Sequence, residues 1–404
     1  MNKARIIGGT LLVTGVAIGA GMLALPAVTG ILGFWPTMGI FILGFLFTLY
    51  SGLILLEANL SMPAGSNIIS MANRYLGTWG KVVAWLMYLL FLYAIVAAYT
   101  TGGGGILAEV LKEVNITLPE PLVMLIFLVV FGAFVYFGTR SVDYINQILM
   151  LGLGVSFIAL LVFVTPHVKT ALLIGQTGTD IRYIWYAIPI VVLAFSAQLV
   201  IPTIRSYHNN NTKEIIIVLL GGTLLPLIFY VMWELTVLGI VPIPGLTAMN
   251  HSANAVTSLI DALTLQTGAY ALGNITAAFS FFALVTSFLG SALSLTHFLK
   301  DGLNLSNKKS SHWFNIVLTF LPGYLFAVFY PQGFVMALAY AGVFILVLFG
   351  VLPAMMVWKL RYIDKQTTSF RVHGGKAMLI LVGLGSVLLI VAQLLATFGV
   401  LPKP

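Results

Sequence analysis

The sequence predicts an all-α polytopic membrane protein: eleven transmembrane helices, arranged as a five-plus-five inverted repeat with one helix added, in which helices one and six are broken. Three observations predict it. Of 404 residues, 60% are hydrophobic and 7% charged, against roughly 45–50% and 25% in a soluble domain. The apolar residues fall in runs of about seventeen or more, each able as a helix to cross a hydrocarbon core of ~30 Å. Two of those runs are interrupted midway by small or polar residues followed by proline, each opening a set of five.

The runs lie at 6–31, 34–57, 81–110, 121–138, 146–164, 183–206, 214–240, 268–299, 313–330, 333–358 and 377–400. They are called spans one to eleven below. No soluble domain intervenes, so 1–404 reads as one transmembrane domain. Repeat one covers about 6–164, repeat two about 183–358, and the added helix about 377–400. Each repeat holds an odd number of spans, so the second is inverted relative to the first. The longest gaps, 58–80 and 241–267, are each expected to hold a short surface helix, at 67–75 and 253–264.

Span one reads Gly15-Val-Ala-Ile-Gly19-Ala20-Gly21-Met22-Leu-Ala-Leu-Pro26 at its centre. Ile6 to Gly15 would reach only about 15 Å as helix, near the bilayer midplane. Glycine weakens a helix there and proline removes a donor, and each freed peptide group in hydrocarbon costs several kcal/mol unless something satisfies it. Close packing of small residues is the competing explanation. Span six repeats the outline at Ala194-Phe195-Ser196-Ala197-Gln198-Leu199-Val200-Ile201-Pro202. Paired interruptions in corresponding positions of two halves point to a binding site between them.

Lysine and arginine orient the chain. Fifteen of the nineteen lie on the side that carries Lys3 and Arg5; Lys112, Lys169, Arg182 and Lys403 lie on the other. The N-terminus is therefore expected in the cytoplasm and, with an odd number of spans, the C-terminus outside. Lys3 and Arg5 before an apolar run imitate a secretory signal, but Pro26-Ala27 makes a poor cleavage site, and an uncleaved first helix is expected. The net charge of +8 lies in short gaps rather than on one folded face, which argues against nucleic acid. With no cysteine, disulfides, thiol catalysis and cysteine-bound zinc are excluded. No His-Glu-x-x-His or Gly-x-Ser-x-Gly occurs, so no enzyme is expected. No repeated polar ring marks a channel filter. A transporter fits best.

At the span-one break the N–H groups of Gly19, Ala20, Gly21 and Met22 would start the outer half-helix, its positive dipole end facing a substrate carboxylate. The carbonyls of Gly15 and Ile18 are freed at the end of the inner half. Ala283, Thr286 and Ser287 on span eight, at i, i+3 and i+4, offer a carbonyl and two hydroxyls on one face. Together these oxygens suit Na⁺, unless the hydroxyls bond back to their own helix. Tyr93 and Tyr99 on span three could each offer a hydroxyl. At the span-six break Ser196 and Gln198 are the polar residues, with Gln198 the residue expected to meet the substrate side chain or amine. Phe195 and Phe279 are expected as apolar walls. Of the acidic residues in spans, Glu57, Glu109 and Glu234 lie within about two turns of helix ends; Glu234 is expected to be a solvated vestibule residue.

Gly19-Ala-Gly-Met-Leu-Ala-Leu-Pro26, Leu55-Leu-Glu57, Arg74-Tyr-Leu-Gly77, Ala97-Ala-Tyr99, Gly138-Thr139 with Val142-Asp143, Leu284-Val-Thr-Ser-Phe-Leu-Gly290 and Tyr340-Ala-Gly342 together resemble the hydroxy and aromatic amino acid permease family, in the amino acid-polyamine-organocation superfamily. The resemblance runs from about residue 5 to 400. It implies a proton-motive-force-driven importer of an aromatic amino acid, tyrosine first and tryptophan next, in a bacterial inner membrane. It also implies the inverted-repeat fold of the bacterial leucine transporter, with Gly15, Ile18, Ala283, Thr286 and Ser287 matching its second sodium site. Met22 falls where that transporter has the asparagine of its other sodium site, and a thioether is a poor Na⁺ ligand. Two departures stand out. Ser196-Ala-Gln-Leu199 replaces the Gly-aromatic-His-Gly-like segment of these permeases, and Leu151-Gly-Leu-Gly154 stands where they tend to carry a lysine early in span five. The coupling ion is therefore H⁺ or Na⁺, with no other cofactor expected; substrate and lipid bilayer are the expected partners.

Overall fold

The computed structural model describes residues 3–401 except 20, 176–180, 251, 253, 304–308, 332, 367 and 369. The described residues form helices joined by turns, with no strand. Among the described residues nine helices are long and apolar enough to cross a membrane, and Lys3–Ala17 with Gly21–Leu32, bent by 56° at the span-one break, makes a tenth. Glu120–Tyr136, at 17 residues, occupies the fourth predicted span and is shorter than these.

Helix boundaries follow local chemistry more closely than hydropathy does. The expected surface helix starts at Ile68 and meets span three at a kink on Gly77, whose φ of 74° and ψ of −161° are not helical, with no loop between the two helices. In the second half the surface helix Ala255–Thr267 ends at Gly268, left-handed at φ 65°, and span eight follows as Tyr270–Gly302. Both surface helices start on an asparagine cap, Asn67 accepting from Ser70 N–H and Asn254 from Val256 N–H. A capped surface helix, a positive-φ glycine and a long helix thus follow one another both at 68–113 and at 255–302.

The two faces are tied differently. On the N-terminal face Glu57, fully buried, takes Arg361 Nε at 2.6 Å, a second Arg361 nitrogen and Val372 N–H at 2.8 Å. This clamps span two to the end of span ten. Arg205 at the end of span six donates to the Asn59 carbonyl and, at 2.9 Å, to that of Met62. The opposite face is closed by neutral contacts: Asn250 donates to Ala27 O at 2.5 Å and Asn254 to Thr101 O at 3.0 Å. The helix Ile243–Asn250 lies over the outer half of span one.

Candidate functional site

The two breaks lie side by side in the structure. Ala17 ends the inner half of span one, and Gly21 starts the outer half. Phe195 ends the first half of span six, Ser196 and Ala197 leave helical geometry, and the chain resumes through Gln198–Val200 into Ile201–Tyr207. One side chain joins them: the Tyr230 hydroxyl, from span seven, sits 2.7 Å from both Ala17 O and Ala194 O. One turn further on, Trp233 Nε1–H donates to Met22 O at 3.1 Å. Freed carbonyls in an apolar interior must find donors, and span seven supplies them. Neither residue was singled out in the sequence, where Tyr230-x-x-Trp233 at i, i+3 within an apolar run was the available signal.

Between the breaks lies a cavity of about 360 Å³, in the range of small-molecule sites. Span one lines it from Gly15 to Gly19 and with Gly21; span three contributes Phe91, Ile95 and Tyr99; span six contributes Ser196; span eight contributes Thr286, Ser287 and residues inward of them to Ser294. A second cavity of about 300 Å³ shares Leu199, Ser294 and Phe349 with the first and reaches Asn67, Tyr88 and His297. The combined space therefore runs from the breaks to the N-terminal face. Phe349, at the junction, sits in a π-helical turn within span ten, a distortion frequent at functional sites.

The expected site residues separate into groups. Gly15, Ile18, Gly19, Gly21, Tyr99, Ser196, Thr286 and Ser287 line the cavity. A Cβ on Gly19 would lie 2.6 Å from Ser287 Oγ, whereas one on Gly21 would meet Ala194 at an ordinary 3.6 Å. Ala20 lies outside the described residues. Met22 is fully buried away from the cavity, and its N–H is taken by Gly19 O at 3.1 Å. Phe195 packs against Tyr230 and Phe41, and Phe279 against Trp233 and Phe157, so both stand behind the site rather than in its wall. Gln198 is 3% exposed and donates to Ser51 Oγ at 2.9 Å; it lines the inner cavity and not the central one.

Thr286 bonds back to its own helix, to Phe282 O at 2.8 Å and Ala283 O at 3.2 Å. The Ala283 carbonyl is thereby engaged, and Ala283 does not line the cavity. Ser287 hydrogen-bonds Tyr99. Among the described residues no cluster of His, Asp or Glu is arranged to hold a metal, so any cation here would rest on neutral oxygens. Tyr93 instead donates to Leu318 O at 2.8 Å, a packing role.

One expectation is overturned outright. Glu234 is fully buried, not a solvated vestibule residue: its Oε1 lies against Gly30 of span one, where Leu238 and Leu246, the latter from the helix Ile243–Asn250, also pack. Its Oε1 accepts from Thr29 Oγ1 at 2.8 Å, and its Oε2 has no hydrogen-bond partner. Glu57 is likewise buried, held by Arg361. Glu109 alone matches the solvated reading, half exposed beside Lys112 at 2.7 Å.

Comparison with known proteins agrees with this architecture. The chain is similar in fold to MhsT, crystallised in complex with L-phenylalanine, at TM-score 0.64 and 16% identity, with 97% of this chain and 98% of that one covered. It is 33% identical over 403 residues to the tyrosine-specific transport system 1 of Haemophilus influenzae, covering 100% of this chain and 99% of that protein. It is 30% identical over 408 residues to the tryptophan-specific transport protein of the same organism, covering 98% and 96%. The model of the tryptophan/tyrosine permease family matches residues 2–393, and the chain belongs to that family of membrane transport proteins.

Proposed function

We propose that the protein is a secondary active symporter that imports an aromatic amino acid, tyrosine first and tryptophan next, across the bacterial inner membrane, with its N-terminus cytoplasmic and its C-terminus periplasmic. The observation that carries this reading is the cavity of about 360 Å³ between two broken spans. At one end lies the start of the helix at Gly21, where first-turn N–H groups other than that of Met22, held by Gly19 O, have no intrahelical partner, and the dipole there favours a carboxylate. Around it Phe91, Ile95 and Phe349 supply apolar walls for a ring. The opening toward the basic N-terminal face makes this an inward-open state, poised to release substrate.

Two observations bear on the coupling ion. Gly15, Ile18, Thr286 and Ser287 bring neutral oxygens to one end of the cavity, which favours Na⁺. Glu234 brings a carboxylate with one unpartnered oxygen to the outer seal, which favours H⁺. Uptake of radiolabelled tyrosine, tryptophan and phenylalanine into proteoliposomes, with sodium and proton gradients imposed separately, tests both parts. Accumulation above equilibrium under one gradient identifies the ion; uptake that only follows the substrate's own gradient would refute symport.

A further inference from the structure

Most polar side chains of the central cavity are engaged within the protein. Thr286 donates to Phe282 O, Ser291 to Ser287 O, Ser294 to Gly290 O and Ser196 to Val192 O, all between 2.6 and 2.8 Å, and Tyr99 bonds Ser287. Asn146 differs. It lines the same cavity from span five, one turn before Met150, and its Oδ1 is shielded from solvent without any hydrogen-bond partner. A buried carbonyl oxygen left without a donor costs about 1–3 kcal/mol, a cost that a ligand N–H or O–H removes.

Its position is fixed by helix geometry. Gly138, at φ 89°, ends the preceding turn and the helix begins at Thr139, so Asn146 lies about two turns inside it. Leu149 and Leu153 are buried on the same helix, which sets the face that Asn146 and Met150 present. Gln198, the other carboxamide near the breaks, also has an Oε1 without a partner, but its Nε2 is held by Ser51 Oγ at 2.9 Å and it lines the inner cavity, not the central one.

We propose that Asn146 is a substrate-binding residue that reads the polar atom of the substrate's ring, its Oδ1 accepting the phenol O–H of tyrosine or the indole N–H of tryptophan. The inference rests on the aromatic amino acid reading above and deepens it. Both rings carry one donor at their far edge and phenylalanine carries none. With phenylalanine bound, Oδ1 gains no donor from the ligand. Discrimination then comes from an unsatisfied acceptor rather than from a clash, the more selective of the two devices.

The test is equilibrium binding of tritiated tyrosine to the purified protein in nanodiscs, competed by tryptophan, phenylalanine and 4-fluorophenylalanine. The fluorine fills the place of the hydroxyl and donates nothing. Tyrosine and tryptophan are expected to bind at least tenfold more tightly than the other two. Asn146→Leu, close in volume, and Asn146→Ala, smaller, are both measured so that one folded variant suffices. Each is expected to lose tenfold or more for tyrosine while phenylalanine changes less than threefold. Equal losses for tyrosine and phenylalanine, or 4-fluorophenylalanine binding to the unaltered protein as well as tyrosine does, would overturn the proposal. If the unaltered protein binds none of the four, the aromatic reading falls and this proposal with it; if it binds them and the variants keep the tyrosine preference, only this proposal falls.

Discussion

The two helix breaks occupy matching places in the two halves but solve the same problem in opposite ways. In span one the interruption is built of glycine, the halves bend by 56°, and backbone faces the cavity from Gly15 to Gly19. In span six the side chains at the interruption turn to protein partners: Ser196 Oγ donates back to Val192 O at 2.6 Å, and Gln198 Nε2 reaches Ser51 on span two. Pro202, in the first turn of the resumed helix, removes a donor that would have had no partner there. Span one thus keeps peptide groups available to a ligand, and span six offers shape. Tyr230 holds both open ends at one distance, so their spacing is set by a third helix.

The largest expected effect breaks the asymmetry at span one. Gly19→Val places a Cβ 2.6 Å from Ser287 Oγ and fills the space where a carboxylate would lie. Substrate binding is expected to fall by at least a hundredfold while membrane insertion persists, measured by binding in detergent and size-exclusion profile. Gly21→Ala, which meets only an ordinary contact at 3.6 Å, should cost far less; equal losses at the two positions would return span one to simple close packing.

Tyr230→Phe comes next. It removes the hydroxyl that sits 2.7 Å from both Ala17 O and Ala194 O and donates its single proton between them, leaving a buried carbonyl under-satisfied at about 1–3 kcal/mol. Substrate affinity is expected to drop roughly tenfold with the melting temperature lowered, read by a thermal shift with and without tyrosine. An unchanged affinity would mean that the two breaks hold their spacing without span seven.

Gln198→Ala sharpens the comparison from the other side. The residue lies outside the central cavity and bonds Ser51, so stability is expected to fall by about 1 kcal/mol with tyrosine and phenylalanine affinities moving together and less than threefold. A selective loss of tyrosine would restore to Gln198 the recognition role its position in the sequence suggested.

The breaks were legible because glycine and proline inside an apolar run have few innocent explanations, and the predicted spans overlap helices because the runs are long, although among the described residues nine helices, ten with the bent first pair, are long and apolar enough to cross a membrane. What was hidden depended on neighbours. Phe195 and Phe279 sit near the breaks in sequence, yet ring contacts with Tyr230 and Trp233 draw them into the core; position along a helix does not say which face a cavity takes. Asn146 is the first residue of the predicted fifth span, 146–164, and was not singled out, whereas the helix starts at Thr139 and carries it about two turns inside. Glu234 read as solvated because Leu246, which packs with it at Gly30, lies beyond the span.

The smallest effect separates the two surface helices. The first-half arm, from Ile68 to its kink at Gly77, carries one charged residue, Arg74; the second-half helix Ala255–Thr267 carries one, Asp261. Opposite signs on otherwise matching helices are what opposite membrane faces predict, since basic residues gather on the cytoplasmic side. Burial raises the Asp261 carboxyl above the ordinary carboxylate value, and Glu109 adds to the rise while Lys112 opposes it. A carboxyl whose folded value is raised binds its proton more tightly folded than unfolded. Folding therefore gains stability as pH falls through the raised value and loses it as pH climbs back. Asp261→Asn removes that dependence, and because the site is partly solvated the gain at neutral pH should stay below ~0.5 kcal/mol. Melting curves from pH 4 to 7 are expected to be flatter for the variant, whereas the matching change Arg74→Gln in the first-half arm should leave the slope as it is. Identical slopes in the unaltered protein and Asp261→Asn would mean that the carboxyl feels no more of the fold than its basic counterpart does.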